Sequence, residues 1–185
     1  MNTYVILMRG SNVGGKNKLS MASLRECLEG LGFAEVATYI ASGNVIVESD
    51  KPAVRVQAEI EEILPQRFKL DSELIKVRVL TRQQLQAVIA NKPRGFGDHS
   101  DTYHSDAIFL MGIDAREAMI VFNPREGVDK VWPGQGVIYS QRLSAERTKS
   151  RLSKIVGTPA YKSMTIRSWN TTTKLLEIVK TKEAS

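Results

Sequence analysis

The segment of this sequence best suited to bind an anion is a glycine- and lysine-rich loop. It runs from Arg9 to Lys18 and holds three glycines, with Lys16 and Asn17 near its end. Backbone N–H groups in such a loop, together with an ammonium group, can surround one phosphate. The spacing Gly-x-x-x-x-Gly-Lys that ends at Lys16 matches a P-loop, but Asn17 stands where that motif has Ser or Thr. The loop therefore favours anion binding over nucleotide hydrolysis, and a plain turn with solvated lysines remains the alternative.

The first eighty residues alternate between apolar runs and helical patterns. The predicted strands are Tyr4–Met8, Glu35–Ile40, Val45–Glu48 and Glu73–Leu80, and the predicted helices are Ser20–Leu31, with Ser20 as its N-cap, and Ala53–Leu64. Pro65 is expected to separate the second helix from the last strand. This order is that of the ferredoxin-like split βαβ plan, in which both helices cover one face of the sheet.

That plan brings two polar segments to one end of the sheet. The first two strands run in the same direction, so the Arg9–Lys18 loop and the Ser42–Asn44 turn should be neighbours. The polar side chains expected to cluster there as an anion site are Arg9, Asn12, Lys16, Asn17, Ser42 and Asn44. The alternative is that the turn simply closes a hairpin and that Asn12 bonds to its own loop.

The remainder of the chain has a less regular pattern. It predicts helices over Thr81–Asn91, Ala115–Val121, Thr148–Val156 and Thr171–Thr181, strands over Ala107–Met111, Val128–Trp132 and Gly136–Ser140, and a loop over Lys92–Asp106. We interpret it as a second, diverged ferredoxin-like α+β subdomain. The expected organisation is thus an α+β domain over residues 1–80 and a second one, with C-terminal helices, over residues 81–185.

Positive charge is concentrated in the C-terminal third. Residues 1–80 carry no net charge, whereas residues 139–182 hold ten Lys/Arg against only Glu146 and Glu177, for a net charge of +8. Such a field favours anionic partners, either nucleic acid or phosphorylated small molecules, although a solvated basic face with no ligand is the alternative.

Aromatic residues are interleaved with these cations. Tyr139, Tyr161 and Trp169 lie among arginines and lysines, a composition typical of single-strand nucleic-acid binding. The basic or polar side chains predicted to contact an anion here are Arg151, Lys154, Arg167 and Asn170. A packing role for Trp169 at the start of a helix is the structural alternative, and the third strand lacks the aromatic pattern of an RNA-recognition motif.

Other kinds of chemistry receive little support. The segment Asp98–Asp106 contains both histidines and three aspartates, but its spacing matches no established metal site, and neither histidine lies near a nucleophile elbow. Cys27 is the only cysteine and is flanked by leucines, which favours a packing role and a reducing compartment. No metal and no cofactor is predicted. Without a long apolar stretch or an export signal, we expect a cytoplasmic protein with no membrane contact.

Two signatures make the chain resemble the bacterial family called domain of unknown function 1697. The N-terminal one spans Arg9–Lys18, the leucine-rich helix ending at Phe33, and Thr38–Val45, and the second spans Thr165–Leu175 after Ser150–Lys154. The resemblance implies a two-part ferredoxin-like α+β fold and no particular activity. Ser168 departs from the family's usual Asn, and the segment 141–147 replaces a Gly/Pro-rich stretch. Whether the two signatures form one site, with Lys16 near Arg167, stays open.

Taken together, these patterns predict a bacterial protein that binds an anionic ligand through the Gly/Lys loop and the basic C-terminal region. One alternative is an enzyme whose site lies between the Arg9–Lys18 loop and the Ser42–Asn44 turn. The other is a protein-interaction module that forms a homodimer.

Overall fold

A computed structural model describes residues 1–11, 18–41, 43–70 and 75–183. The chain divides into two compact units, one of Met1–Leu85 with Leu175–Ser185 and one of Gln86–Lys174. Each unit holds a four-stranded antiparallel sheet, so the predicted α+β class is confirmed. Within the described parts of the chain, no helix combines the length and apolar character needed to cross a membrane.

The first unit follows the predicted order of strands and helices. Its elements are β1 (Asn2–Arg9), α1 (Met21–Gly30), β2 (Ala34–Tyr39), β3 (Asn44–Ser49), α2 (Ala53–Arg67) and β4 (Lys76–Thr81), with α3 (Arg82–Ala90) beginning at its end. The sheet has the order β2-β3-β1-β4, and every neighbouring pair is antiparallel. Since β1 and β2 are both antiparallel to β3, they run in the same direction, as predicted.

Alternating apolar residues build the core of this unit. Tyr4, Ile6 and Met8 of β1 share one face of the sheet and are all buried. Leu24 and Leu28 of α1 pack onto the same core, as do the buried residues of α2. The Ser20 hydroxyl caps α1 by accepting a bond from the Ser23 N–H, so the predicted N-cap is confirmed.

The second unit carries the remaining strands. Its elements are β5 (Tyr103–Leu110), α4 (Ala115–Met119), β6 (Asp129–Pro133), β7 (Val137–Leu143), three 3-10 turns (Ser144–Lys149, Leu152–Gly157 and Pro159–Ser163), β8 (Met164–Ser168) and the start of α5 (Trp169–Glu183). Its sheet has the order β6-β7-β5-β8, again fully antiparallel. Strand by strand, this order matches β2-β3-β1-β4, with 3-10 turns at the place that α2 has in the first unit.

Several element predictions are wrong. Thr148–Val156 is not a helix, because Ser150 interrupts it and the turns on either side have 3-10 geometry. The strand β8 was missed, because its buried residues include Thr165 and Arg167, which sequence patterns assign to the surface. The predicted loop ends early, since β5 starts at Tyr103 and pairs with β7 from there. The helix α2 continues through Pro65 to Arg67, because a proline in a last turn removes only one helical hydrogen bond.

Candidate functional site

In the first unit, the beginning of the Gly/Lys loop lies beside the turn before β3. The Met8 N–H donates to the Gly43 carbonyl at 2.9 Å. Gly43 has φ +73°, and a Cβ added there would lie 2.5 Å from the Ser11 Oγ. The described part of the loop and the turn are thus direct neighbours.

The predicted anion-site residues of this unit are only partly accounted for. Arg9 ends β1 opposite Lys76, and Asn44 is fully buried, with its side-chain amide donating to the Tyr39 carbonyl at 3.1 Å. Asn44 therefore closes the hairpin between β2 and β3. The predictions that fall outside the described residues are Asn12, Lys16, Asn17 and Ser42.

Arg151 and Lys154 lie on or beside the second 3-10 turn. The Arg151 backbone N–H donates to Asp129 Oδ2 at 2.9 Å, and the Arg125 N–H donates to the same oxygen at 3.0 Å. Burial alone would raise the pKa of Asp129, but these N–H bonds and the Ser150 hydroxyl lower it below its usual range. Arg151 thus serves the fold through its main chain, while Lys154 is exposed.

Arg167 is a buried arginine at the end of β8. It stands opposite Ala107 in the ladder, and its guanidinium donates to the Thr165 hydroxyl at 2.9 Å and to the Ile166 carbonyl at 2.8 Å. Burial lowers the pKa of Arg167 to about 10, so the side chain is still charged at neutral pH. A permanent positive charge therefore lies inside the second unit, one residue before Ser168.

A pocket opens immediately after Arg167, at the amino-terminal end of α5. It has a volume of about 110 Å³ and draws its lining from the loop before β5, the start of β5 and the start of α5. The lining residues are Gly97, Ser100, Tyr103, His104, Ser105, Ser168, Trp169 and Asn170. Of the six predicted anion-site residues that the structure describes, Asn170 is the one that lines this pocket.

The helix end at the pocket is capped from within the chain. The Ser168 Oγ accepts from the Thr171 N–H at 3.2 Å and donates to the Thr171 hydroxyl at 3.0 Å. This leaves the Asn170 N–H, in the first turn of the helix, without an intrahelical acceptor. Together with the dipole of a 15-residue helix, this N–H favours negative charge at the pocket.

One polar group in the pocket wall lacks a partner. Ser105 is 9% exposed, and its hydroxyl has no hydrogen-bond partner among the described residues. A buried hydroxyl without a hydrogen bond costs about 1–3 kcal/mol. The residue that carries this hydroxyl is one of those that line the pocket.

Next to Ser105, a histidine is held by a carboxylate. The Nε2 of His104 lies 3.0 Å from Oδ2 and 3.1 Å from Oδ1 of Asp106. Burial raises the pKa of Asp106, although His104 and Arg142 both oppose that shift. His104 is partly exposed at the pocket and is paired in the ladder with Arg142 of β7.

The far wall of the pocket rests on a cluster of aromatic rings. Phe96 is fully buried and makes edge-to-face contacts with Trp132, Tyr139 and Trp169, with centroids 5.0–5.9 Å apart. The Tyr139 hydroxyl donates to the Val88 carbonyl at 2.6 Å. Trp169 is thus a packed ring that fixes the start of α5, which is the structural alternative raised for it.

The geometry of the Asp98–Asp106 segment does not support a metal site. Among the described residues, no three His, Cys, Asp or Glu side chains are grouped so that they could hold a metal ion. Asp98 is instead paired with the Lys92 ammonium at 2.6 Å.

Sequence reasoning missed most of the pocket. Ser100, Ser105 and Gly97 carried no signal, because their position depends on the pairing of β5 with the last strand of the sheet. The one available signal was Ser168 followed three residues later by Thr171, a helix-start pattern that places its neighbours at a helix end.

Comparisons with known proteins identify the family of this chain and a similar solved structure. The family model described as "Protein of unknown function (DUF1697)" matches residues 1–139. The solved structure of the conserved bacterial protein SP0830 from Streptococcus pneumoniae is similar, with a TM-score of 0.77 and 25% sequence identity over 95% of this chain and 97% of that chain. No protein with curated annotation matches. Because the matched residues make up more than half of the sequence, the chain belongs to the family described as protein of unknown function (DUF1697).

Proposed function

We propose that this protein binds a phosphorylated small molecule, with the phosphate held at the amino-terminal end of α5. The observation that carries the proposal is the buried Ser105 hydroxyl, which lacks a partner in a pocket at the start of a 15-residue helix. The Asn170 N–H and the Ser105 hydroxyl would be the donors, and phosphate oxygens accept hydrogen bonds from donors of this kind.

The size of the pocket favours a small ligand over a nucleic-acid strand. A water molecule needs about 10–15 Å³ of such volume, so 110 Å³ holds one phosphate group and a few further atoms. A single-stranded nucleic acid would instead need a groove several nucleotides long with exposed stacking rings. Trp169 is 8% exposed and packed between other rings, which leaves it unsuited to stacking on a base.

Titration with inorganic phosphate by isothermal calorimetry, at about pH 6.5, tests the proposal. Replacing Ser105 by Ala removes one hydrogen bond to the ligand and is expected to weaken binding about tenfold. Ser153→Ala, at an exposed serine on the second 3-10 turn, is the matched control and should bind as the wild type does. Equal affinity in the Ser105 and Ser153 variants, or no phosphate binding at millimolar concentration, would contradict the proposal.

A second candidate function rests on the 3-10 segment between β7 and β8. Its exposed cations outnumber its acids, because Glu146 is the only acidic residue there and is paired with Lys149 at 2.6 Å. The exposed cations are Arg147, Lys149, Lys154 and Lys162. We infer that this surface could bind a nucleic-acid backbone.

Fluorescence anisotropy with a short single-stranded RNA at several salt concentrations tests that candidate. Binding to the phosphate backbone predicts an affinity that falls steeply as the salt concentration rises. Lys154→Ala should reduce the slope of log affinity against log salt concentration by about one. Affinity that does not change with salt would remove it. The enzyme at the Arg9–Lys18 loop and the homodimer stay predictions.

A further inference from the structure

The pocket at α5 has the donors that an anion needs but little charge of its own. None of its lining residues is a lysine or arginine, and of those residues His104 is the one that can become positive. A doubly charged oxyanion placed there would meet only helix-end dipoles and neutral donors, which offset its charge only in part. Uptake of a proton by His104 would supply the missing charge.

This inference rests on the proposed function. We propose that the ligand is a tetrahedral oxyanion and that it binds together with one proton, which His104 takes up. His104 lies at the pocket and is already held by a carboxylate 3.0 Å away. That contact orients the ring. The ligand class is therefore a phosphate monoester, and its binding strengthens as pH falls.

The charged and titratable groups around His104 are few. On its own strand they are Asp106 and Tyr103, and on β7 Arg142 stands directly opposite. On β6, Asp129 is paired with Arg142 in the ladder, and its carboxylate is held by backbone N–H groups. The loop before β5 contributes Asp98, which is paired with Lys92, and also His99 and Asp101.

Two of these groups act on His104 in opposite directions. Arg142 repels a positive charge on the imidazole, and Asp106 attracts one. An anion in the pocket adds negative charge beside His104, and we expect the proton to settle on the imidazole.

Inorganic sulfate is the probe that tests proton uptake. Sulfate keeps its full charge over the range in which histidine titrates, so any pH dependence reports on the protein rather than on the ligand. Between about pH 5 and 8, we expect affinity to rise by up to about tenfold for each unit that the pH falls, the limit for uptake of one proton. Calorimetry in two buffers of different ionisation enthalpy should count close to one proton taken up.

Variants of the two histidines test whether His104 causes the pH dependence of binding. His104→Asn should bind sulfate with an affinity that no longer changes with pH, while His99→Asn, at the exposed second histidine of the chain, should keep the wild-type profile. Asp106→Asn should shift the profile to lower pH, because the carboxylate that favours the charged imidazole is gone. A merely structural role for His104 would leave the slope intact.

The outcomes for the two proposals can be told apart. Sulfate binding that weakens in Ser105→Ala but does not vary with pH would overturn proton uptake and leave the pocket standing. A pH slope that persists in His104→Asn would overturn it as well. No sulfate binding at any pH, in the wild type and in both histidine variants, would remove the pocket and proton uptake together.

Discussion

The sheet of β1–β4 and the sheet of β5–β8 have the same strand order, yet the side chains they bury differ in kind. Of the described residues in the first four strands, Asn44 and Ser49 are the buried polar ones, and the rest of the core is nearly all aliphatic. The second sheet buries a larger polar set and four packed aromatic rings beside it. That polar set consists of Ser105, Asp129, Ser140, Gln141, Thr165 and Arg167.

This difference indicates a division of roles within one protein. Buried polar groups cost free energy unless they are hydrogen-bonded, so a sheet without a ligand gains little by burying them. The first sheet largely avoids such groups, whereas the second holds Asp129 and Arg167 by hydrogen bonds and places Ser105 at the pocket. Pairs of variants, one in each unit, test whether the two sheets differ in this way.

The largest expected effect comes from the aromatic cluster. Phe96→Ala should lower the free energy of unfolding by about 4 kcal/mol, because it opens a cavity and removes three edge-to-face contacts. Phe33→Ala, at a buried phenylalanine of the first unit, should cost about 3 kcal/mol. Urea denaturation followed by circular dichroism measures both, and a larger loss at Phe33 would contradict the comparison.

A glycine in each unit gives a second test of the difference between the two units. Gly97 has φ +75°, and an added Cβ would lie 2.3 Å from Cδ1 of the Trp169 ring, so Gly97→Ala should cost about 3 kcal/mol through strain and overpacking. Gly32 has φ +84° with nothing within 4 Å, so Gly32→Ala should cost about 1 kcal/mol from backbone strain alone. Denaturation midpoints compare the two, and a shift in tryptophan fluorescence should accompany only the Gly97 variant. Equal costs would show that Trp169 moves aside freely.

The acids of the second sheet predict opposite pH dependences. The lowered pKa of Asp129 means that its contribution to stability is present above its unfolded-state pKa and is lost as pH falls through the folded-state value. Asp129→Asn should therefore cost about 1.5 kcal/mol at pH 7, and this cost should fade in acid.

The raised pKa of Asp106 has the reverse sign, since its contribution is present at low pH and is lost as pH rises through the folded-state value. Asp106→Asn should change stability at pH 7 by no more than about 0.5 kcal/mol, and in the stabilising direction. Chemical denaturation at a series of pH values measures both variants. A cost for Asp106→Asn at pH 7 that matches the cost for Asp129→Asn would be inconsistent with these signs.

The smallest effects are expected at two helix caps. Ser168→Ala should cost about 1 kcal/mol, because the hydroxyl accepts from the Thr171 N–H at 3.2 Å and also donates to its side chain. Ser20→Ala should cost about 0.5 kcal/mol, since the bond to the Ser23 N–H is 3.4 Å long. Thermal unfolding is sensitive enough to rank them, and a larger loss at Ser20 would reverse the ranking.

The sequence predicted the first sheet well because its signals are local. Strands such as β1 are short apolar runs bounded by turn residues, and α1 begins at a serine cap. The strand β8 was missed because Arg167 is buried in a position that sequence patterns assign to the surface. The pocket was out of reach for the same reason, since Ser105 and Ser168 meet only through the pairing of β5 with β8.

The pairing of β5 with β8 also decides when the pocket appears during synthesis. The strands of the first sheet are complete once the ribosome has released Thr81, whereas Asp106 waits for its ladder partner Ser168. At about 5–20 residues per second, the second sheet stays incomplete for several seconds after β5 has emerged. During that interval the β5 residues that pair with β8, Asp106–Leu110, form an unpaired strand edge. Because Ala107 to Leu110 are all apolar, this edge can pair with another chain until β8 has emerged.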